Sequence, residues 1–136
     1  MRYFLIGSLL LCTVSCAKRE FVQDAEFKFI NNTNFHITYN FGLDKYNLNP
    51  LETKVFREEQ GARRNSDETT YYTPFKVTSF DVTIKFDGSK CLIISPNGSF
   101  GPLNIKNYNA EKISSRAYKF TYTFTEADYN RATACP

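Results

Sequence analysis

Apolar side chains recur at every second position in several stretches of this chain. Phe27 and Phe29 alternate with Glu26 and Lys28, and Phe35, Ile37, Tyr39 and Phe41 stand opposite His36, Thr38 and Asn40. Phe80, Val82, Ile84 and Phe86 face away from Asp81, Thr83 and Lys85, and Tyr118, Phe120, Tyr122 and Phe124 alternate with Lys119, Thr121 and Thr123. A period of two marks a strand with one buried and one wet face. Turn residues punctuate the runs at Asn31 to Asn34, Gly42 to Lys45, Asn49-Pro50, Asp87-Gly88 and Pro96 to Gly98. Asp-Gly supplies the positive φ angles of a tight hairpin, which predicts a return strand from Cys91 to Ser95. Shorter strands are expected near Tyr46 to Leu48 and around Thr53 to Arg57, the latter at an edge or strand start because Pro50 precedes it.

Two stretches lack this pattern. Glu58 to Pro74 is polar and without convincing period, and reads as one long loop. Ser99 to Ser115 is mixed, with Leu103, Ile105 and Tyr108 suiting one short helical turn or an irregular edge. Thr125-Glu126-Ala127-Asp128 has the layout of a capping box and predicts a short helix ending near Ala132. About six or seven strands joined by turns predict an all-β fold, an antiparallel immunoglobulin-like sandwich with a short C-terminal helix.

The start of the chain follows a different logic. Arg2 is followed by an apolar run from Phe4 to Leu11 and by small residues leading to Cys16, the layout of a secretory signal. The run falls short of the roughly 20 apolar residues that span a bilayer, and Lys18, Arg19 and Glu20 follow it directly. The expected division is therefore a signal at 1–15, a tether at 16–25 and a β domain at 26–136. Thr13-Val14-Ser15-Cys16 resembles a bacterial lipobox, which implies diacylation of Cys16 and an anchor of diacylglycerol and palmitate-type chains. A plain cleaved signal is the alternative. With Cys12 lost and Cys16 acylated, Cys91 and Cys135 are left as a pair suited to a disulfide in an oxidising compartment.

Composition narrows the chemistry. The chain of 136 residues carries 17 basic and 14 acidic side chains, a balance too mild to argue for nucleic acid. It holds 13 Phe and 9 Tyr but no Trp, which suits pleated, half-buried strands. No phosphate loop, dinucleotide fingerprint, calcium loop or zinc spacing occurs, and no cofactor is implied. His36, the single histidine, lies on a polar strand face, where an exposed or turn-stabilising imidazole is expected rather than a catalytic or metal-binding one. The carboxylates Asp44, Asp67, Glu68, Asp81 and Asp87 stand in turns or on wet faces, which favours a solvated role over glycoside chemistry.

The lipobox-like start, the Asn31-Asn32-Thr33-Asn34 turn with His36 and Phe86-Asp87-Gly88 point in one direction. Together with Pro102-Leu103-Asn104-Ile105, Tyr108 and the ending from Tyr118 to Asn130, they resemble the small lipoproteins of the Bacteroidota. That resemblance implies an envelope lipoprotein with a compact β domain of unassigned function, and the lack of a credible acid, base, nucleophile or metal cluster favours a non-catalytic module, lipid-anchored to the outer membrane, that serves a protein or glycan partner. Ala17-Lys18-Arg19-Glu20 departs from the acidic stretch common after the cysteine in surface-exported members, so the membrane face stays open. A hydrolase of envelope polymers and a pilus-type subunit joined by strand addition are the alternatives. Any binding surface is expected on the loop from Glu58 to Pro74, where Arg63 and Arg64 suit carboxylate or phosphate and Tyr71 and Tyr72 suit protein or sugar faces, the alternative being a mobile insertion with no partner.

Overall fold

The computed structural model describes residues 21–41, 44–62, 67–74, 81–96 and 98–136. Within them the alternating runs become strands of two sheets. The first contains β1 (Phe21–Asn31), β4 (Thr53–Ala62), β7 (Asn109–Ser114) and β8 (Ala117–Phe124), in the order β4-β1-β8-β7. The second contains β2 (Ile37–Phe41), β3 (Asp44–Leu48), β5 (Val82–Phe86), β6 (Lys90–Ile94) and β9 (Thr133–Ala134), in the order β3-β2-β5-β6-β9. The fold is an all-β sandwich with one short helix, as the alternation predicts. The described residues form nine strands rather than six or seven. One ladder departs from the antiparallel expectation: β1 runs parallel to β8, with Phe27 opposite Phe120 and Phe29 opposite Tyr122.

The core follows from the pleat. Phe27, Phe29, Phe120 and Phe124 of one sheet meet Ile37, Tyr39, Ile84 and Phe86 of the other, all excluded from solvent. Phe27 stacks on Phe120 at 5.3 Å within the first sheet, and Phe29 and Phe124 approach Tyr39 at 6.2 and 6.0 Å between the sheets. Burying such rings removes the largest apolar areas any side chain offers and favours offset or edge contacts.

One corner is built by a buried amide. Asn31 ends β1, and its Nδ2 donates to the carbonyl oxygens of Phe35 at 2.8 Å and Asn49 at 2.9 Å. Its Oδ1 accepts from the Thr33 amide and hydroxyl, so a polar group in the core is satisfied on both sides. The predicted Asp-Gly hairpin joins β5 to β6, with φ of 48° at Asp87 and 70° at Gly88. Asp87 also binds the start of β2: its carboxylate accepts from the His36 amide at 2.8 Å, and its own amide donates to the His36 carbonyl at 2.8 Å. The turn from Asn49 to Glu52 holds Leu51 at φ 60°, a conformation that costs an L-residue about 1–2 kcal/mol.

Two expected boundaries are corrected. The tether was expected to reach residue 25, yet β1 begins at Phe21, and Gln23 and Ala25 are buried. The long loop was expected to begin at Glu58, yet β4 continues to Ala62, pairing Glu58 with Ala25 and Gln60 with Gln23. Both differences have one cause: the inward positions here are Gln23 and the small Ala25 on β1 and Glu58 and Gln60 on β4, so neither stretch carries a legible hydrophobic alternation. The turn at Gly42 and Leu43 and the residue Phe80 lie outside the described residues. The capping box is present: the Asp128 carboxylate accepts from the Thr125 amide at 2.9 Å and starts helix α1 (Glu126–Arg131). The chain then returns as β9 along β6, where a disulfide joins Cys135 to Cys91.

Candidate functional site

Of the loop residues expected to bind a partner, Tyr71 and Tyr72 are described, and they part company. Tyr71 is a correction. It is only 2 % exposed and packs on Phe120 at 5.0 Å and Tyr118 at 5.3 Å, closing one end of the sandwich. The reason lies in β4, because the Gln60 amide accepts from the Tyr72 N–H and donates to the Tyr72 carbonyl, both at 2.9 Å. This side-chain ladder turns Tyr71 inward and leaves Tyr72 68 % exposed. Burial, then the neighbouring Tyr118 hydroxyl and the Asp24 carboxylate, raise the Tyr71 hydroxyl above the usual phenol range. Arg63, Arg64 and Cys16 lie outside the described residues.

The difference between the two tyrosines is measurable. Tyr71→Ala is expected to lower unfolding free energy by about 3 kcal/mol, as truncation of a buried ring does. Tyr72→Ala should change it by less than about 0.5 kcal/mol, as exposed substitutions do. Urea denaturation of both variants checks this, and equal losses would return Tyr71 to the surface.

The turn carboxylates have local structural partners. Asp67 accepts from the Thr69 amide at 2.9 Å and hydroxyl at 2.6 Å, which starts a short 3-10 turn over Glu68–Thr70. The Thr69 hydroxyl, then its amide, holds the Asp67 carboxyl below the usual carboxylate range. Asp81 accepts from the Ser95 hydroxyl at 2.7 Å. The His36 ring meets the Thr38 hydroxyl at 3.4 Å. Among the described residues, no three His, Cys, Asp or Glu side chains gather to hold a metal.

A different surface is assembled by the first sheet. Its outward residues on β4, β1, β8 and β7 include Arg57, Glu26, Lys119 and Glu111, which fall in one row across the strands through the pairs Glu26–Arg57, Glu26–Lys119 and Glu111–Lys119. Charge alternates along that row. Arg57 Nη2 lies 2.9 Å from Glu26 Oε2, and Lys119 Nζ lies 3.5 Å from Glu111 Oε2. Arg57, Glu26 and Lys119 of the row line an open depression of about 620 Å³, together with residues that include Asp24, Glu59 and Ile113. Asp24 and Glu59 are register partners, so two like charges stand opposite one another. Such an arrangement costs a sheet stability and leaves negative potential at the surface.

The signal for this site was partly present. Glu26 and Lys119 were legible as outward residues, but only the parallel pairing of β1 with β8 sets them side by side. Comparison with protein-family models, with characterised proteins and with solved structures finds no match for this chain.

Proposed function

We propose that this chain is a non-catalytic binding module of the bacterial cell envelope, anchored to the outer membrane by a lipid on Cys16, with the outer face of the first sheet as its partner surface. The observation that carries the reading is the open depression along the Arg57–Glu26–Lys119–Glu111 row. Rows of fixed, alternating charge select a partner by register and repel mismatched ones, which suits a protein surface more than a small molecule. The lipobox-like residues before Cys16 and the disulfide between Cys91 and Cys135 support an exported location.

Crosslinking and co-purification from native membranes test the reading. The double variant Arg57→Asp/Lys119→Asp is expected to reduce recovery of the partner about tenfold, because like charges then face each other across the contact. The reversal also places like charges opposite Glu26 and Glu111 and should lower the melting temperature somewhat, whereas Arg57→Ala/Lys119→Ala, which only removes exposed ion pairs worth about 0–1 kcal/mol, should hardly move it while still weakening recovery. Undiminished recovery would remove this face from consideration. The same membranes report the anchor: the N-terminal peptide should carry diacylglycerol on Cys16, and an unmodified peptide running through Ser15 and Cys16 would sink that part.

Hydrolysis of an envelope polymer is a second reading, favoured by the Asp24 and Glu59 pair in the depression. Under it, Asp24→Asn and Glu59→Gln abolish glycan turnover and leave co-purification unchanged.

A further inference from the structure

We infer that the end of the sandwich bearing Phe21, Val22, Tyr72, Ile113 and Arg116 rests on the headgroup layer of the bilayer that holds the lipid anchor. This rests on the reading of Cys16 as the lipidated residue. Four residues, Ala17 to Glu20, separate Cys16 from Phe21. However they are arranged, a chain of that length reaches at most about 18 Å. β1 is paired with β4 from Phe21 onward and is flanked on both sides, by β4 and β8, from Asp24 onward, so it cannot lengthen the tether by peeling beyond Gln23. The anchor therefore holds this end of the domain nearest to the membrane.

That end has the surface a headgroup layer accepts. Val22, Tyr72 and Ile113 are 49 %, 68 % and 60 % exposed, Val22 on the outward side of β1, Tyr72 on the inward side where Gln60 holds it, and Ile113 on β7 at the rim of the depression. Register places them. Phe21 pairs with Ala62 and Val22 with Gly61, and the Gln60 side chain beside them holds Tyr72. Ile113 precedes the turn to β8, whose Arg116 carbonyl accepts from the Asp24 amide at 2.8 Å. The Arg116 guanidinium lies 4.5 Å from the Phe21 ring centre, an apolar body with a charged tip of the kind that sits at the boundary of headgroups and acyl chains. Asp67 and Glu68 stand near this end through the contact of Thr70 with Gln23, so the described charge is not a cationic patch. The contact is carried by the apolar and aromatic side chains.

Tethering explains why so small a patch is sufficient. Contacts too weak to recruit the free domain from solution become saturated when a short tether supplies a high effective concentration. The outer sheet face then stands upright beside the membrane, which directs the partner of that face to the bilayer surface.

The absence of Trp makes single-Trp reporters possible. The protein carrying Tyr72→Trp, and separately Leu51→Trp at the opposite end, is returned to phosphatidylcholine vesicles containing lipids brominated on the acyl chains. A parallel sample has the Cys16 thiol coupled to a maleimide headgroup lipid, so that anchoring no longer depends on cellular acylation. Quenching at Tyr72→Trp is expected to exceed that at Leu51→Trp about threefold, as for a group buried roughly 5–10 Å into the interface. Adding Val22→Ser and Ile113→Ser should lower it to the Leu51→Trp level with an unchanged melting temperature. Docking of the coupled sample while the cellular protein carries no lipid supports the surface and overturns the anchor. Equal, weak quenching at both positions of the coupled sample overturns the docking surface whatever the state of Cys16. A blue shift of Tyr72→Trp that grows with protein concentration in the absence of lipid also overturns it, because a second copy then covers the patch.

Discussion

Raising the pH above about 10 is expected to unfold this protein steeply, within one to two pH units of the ordinary tyrosine range. Tyr39, Tyr71, Tyr108 and Tyr122 are all buried, and burial is the largest cause holding each hydroxyl above its ordinary value. Secondary causes reinforce it, such as the Asp128 carboxylate near Tyr122 and the Tyr46 hydroxyl near Tyr39. The sign follows from linkage. With the folded value above the unfolded one, the unfolded chain releases its protons first, so stability is full below the unfolded value and falls as pH climbs toward the folded one. Each such tyrosine removes up to about 1.4 kcal/mol per pH unit in that window. Tyr39, Tyr108 and Tyr122, the most strongly shifted, together remove about 4 kcal/mol per unit, a large share of the stability of a small domain. Far-ultraviolet circular dichroism should fall in one cooperative step that carries a coincident step of phenolate absorbance equivalent to about four tyrosines. Phenolate absorbance reaching its full value while the sheet signal persists would mean that the buried tyrosines reach water in the folded state.

Cys91→Ala/Cys135→Ala is expected to lower the unfolding free energy by about 4 kcal/mol on the chain-entropy argument for a loop of this size. The two cysteines are 44 residues apart in sequence, and their Cα atoms are 4.9 Å apart in the fold. Little else holds the C-terminus. β9 makes only the pairs Lys90–Ala134 and Cys91–Thr133, supplemented by the Cys135 amide donating to the Ser89 carbonyl at 3.0 Å. Loss of the bond should therefore have a local effect as well as a global one, with amide exchange accelerating first in β9 and α1. Urea denaturation of the oxidised protein and the double variant measures the global part. Equal midpoints would show that the unfolded chain is already restricted without the bond.

Much of the sandwich could be read from residue order. The alternations at Phe27 and Phe29, at Val82 to Phe86 and at Tyr118 to Phe124 are strands with buried phenyl, phenol and aliphatic side chains. Asp87-Gly88 and Thr125 to Asp128 are a turn and a helix start as expected. These features are local. A strand's pleat, a positive φ and a capping carboxylate are decided within a few residues, so their signals survive in sequence.

The rest depended on partners far away in the chain. Gln23 and Gln60 show no hydrophobic pattern, and only their opposition in the β1–β4 ladder reveals them as inward residues of two long strands. Tyr71 looked like a loop contact until the Gln60 amide, reaching Tyr72, turned its ring onto Tyr118 and Phe120. Glu26 and Lys119 were each visibly outward, but nothing near either residue could say that they are neighbours. Residue order alone thus determined the strands with apolar alternation, the Asp87-Gly88 turn and the start of the helix, and which faces of those strands are apolar. Strand order, the parallel register of β1 with β8 and the charged face they create were decided by packing the complete sandwich, because long-range pairing is selected by the joint burial of both sheets and not by any one segment's preference.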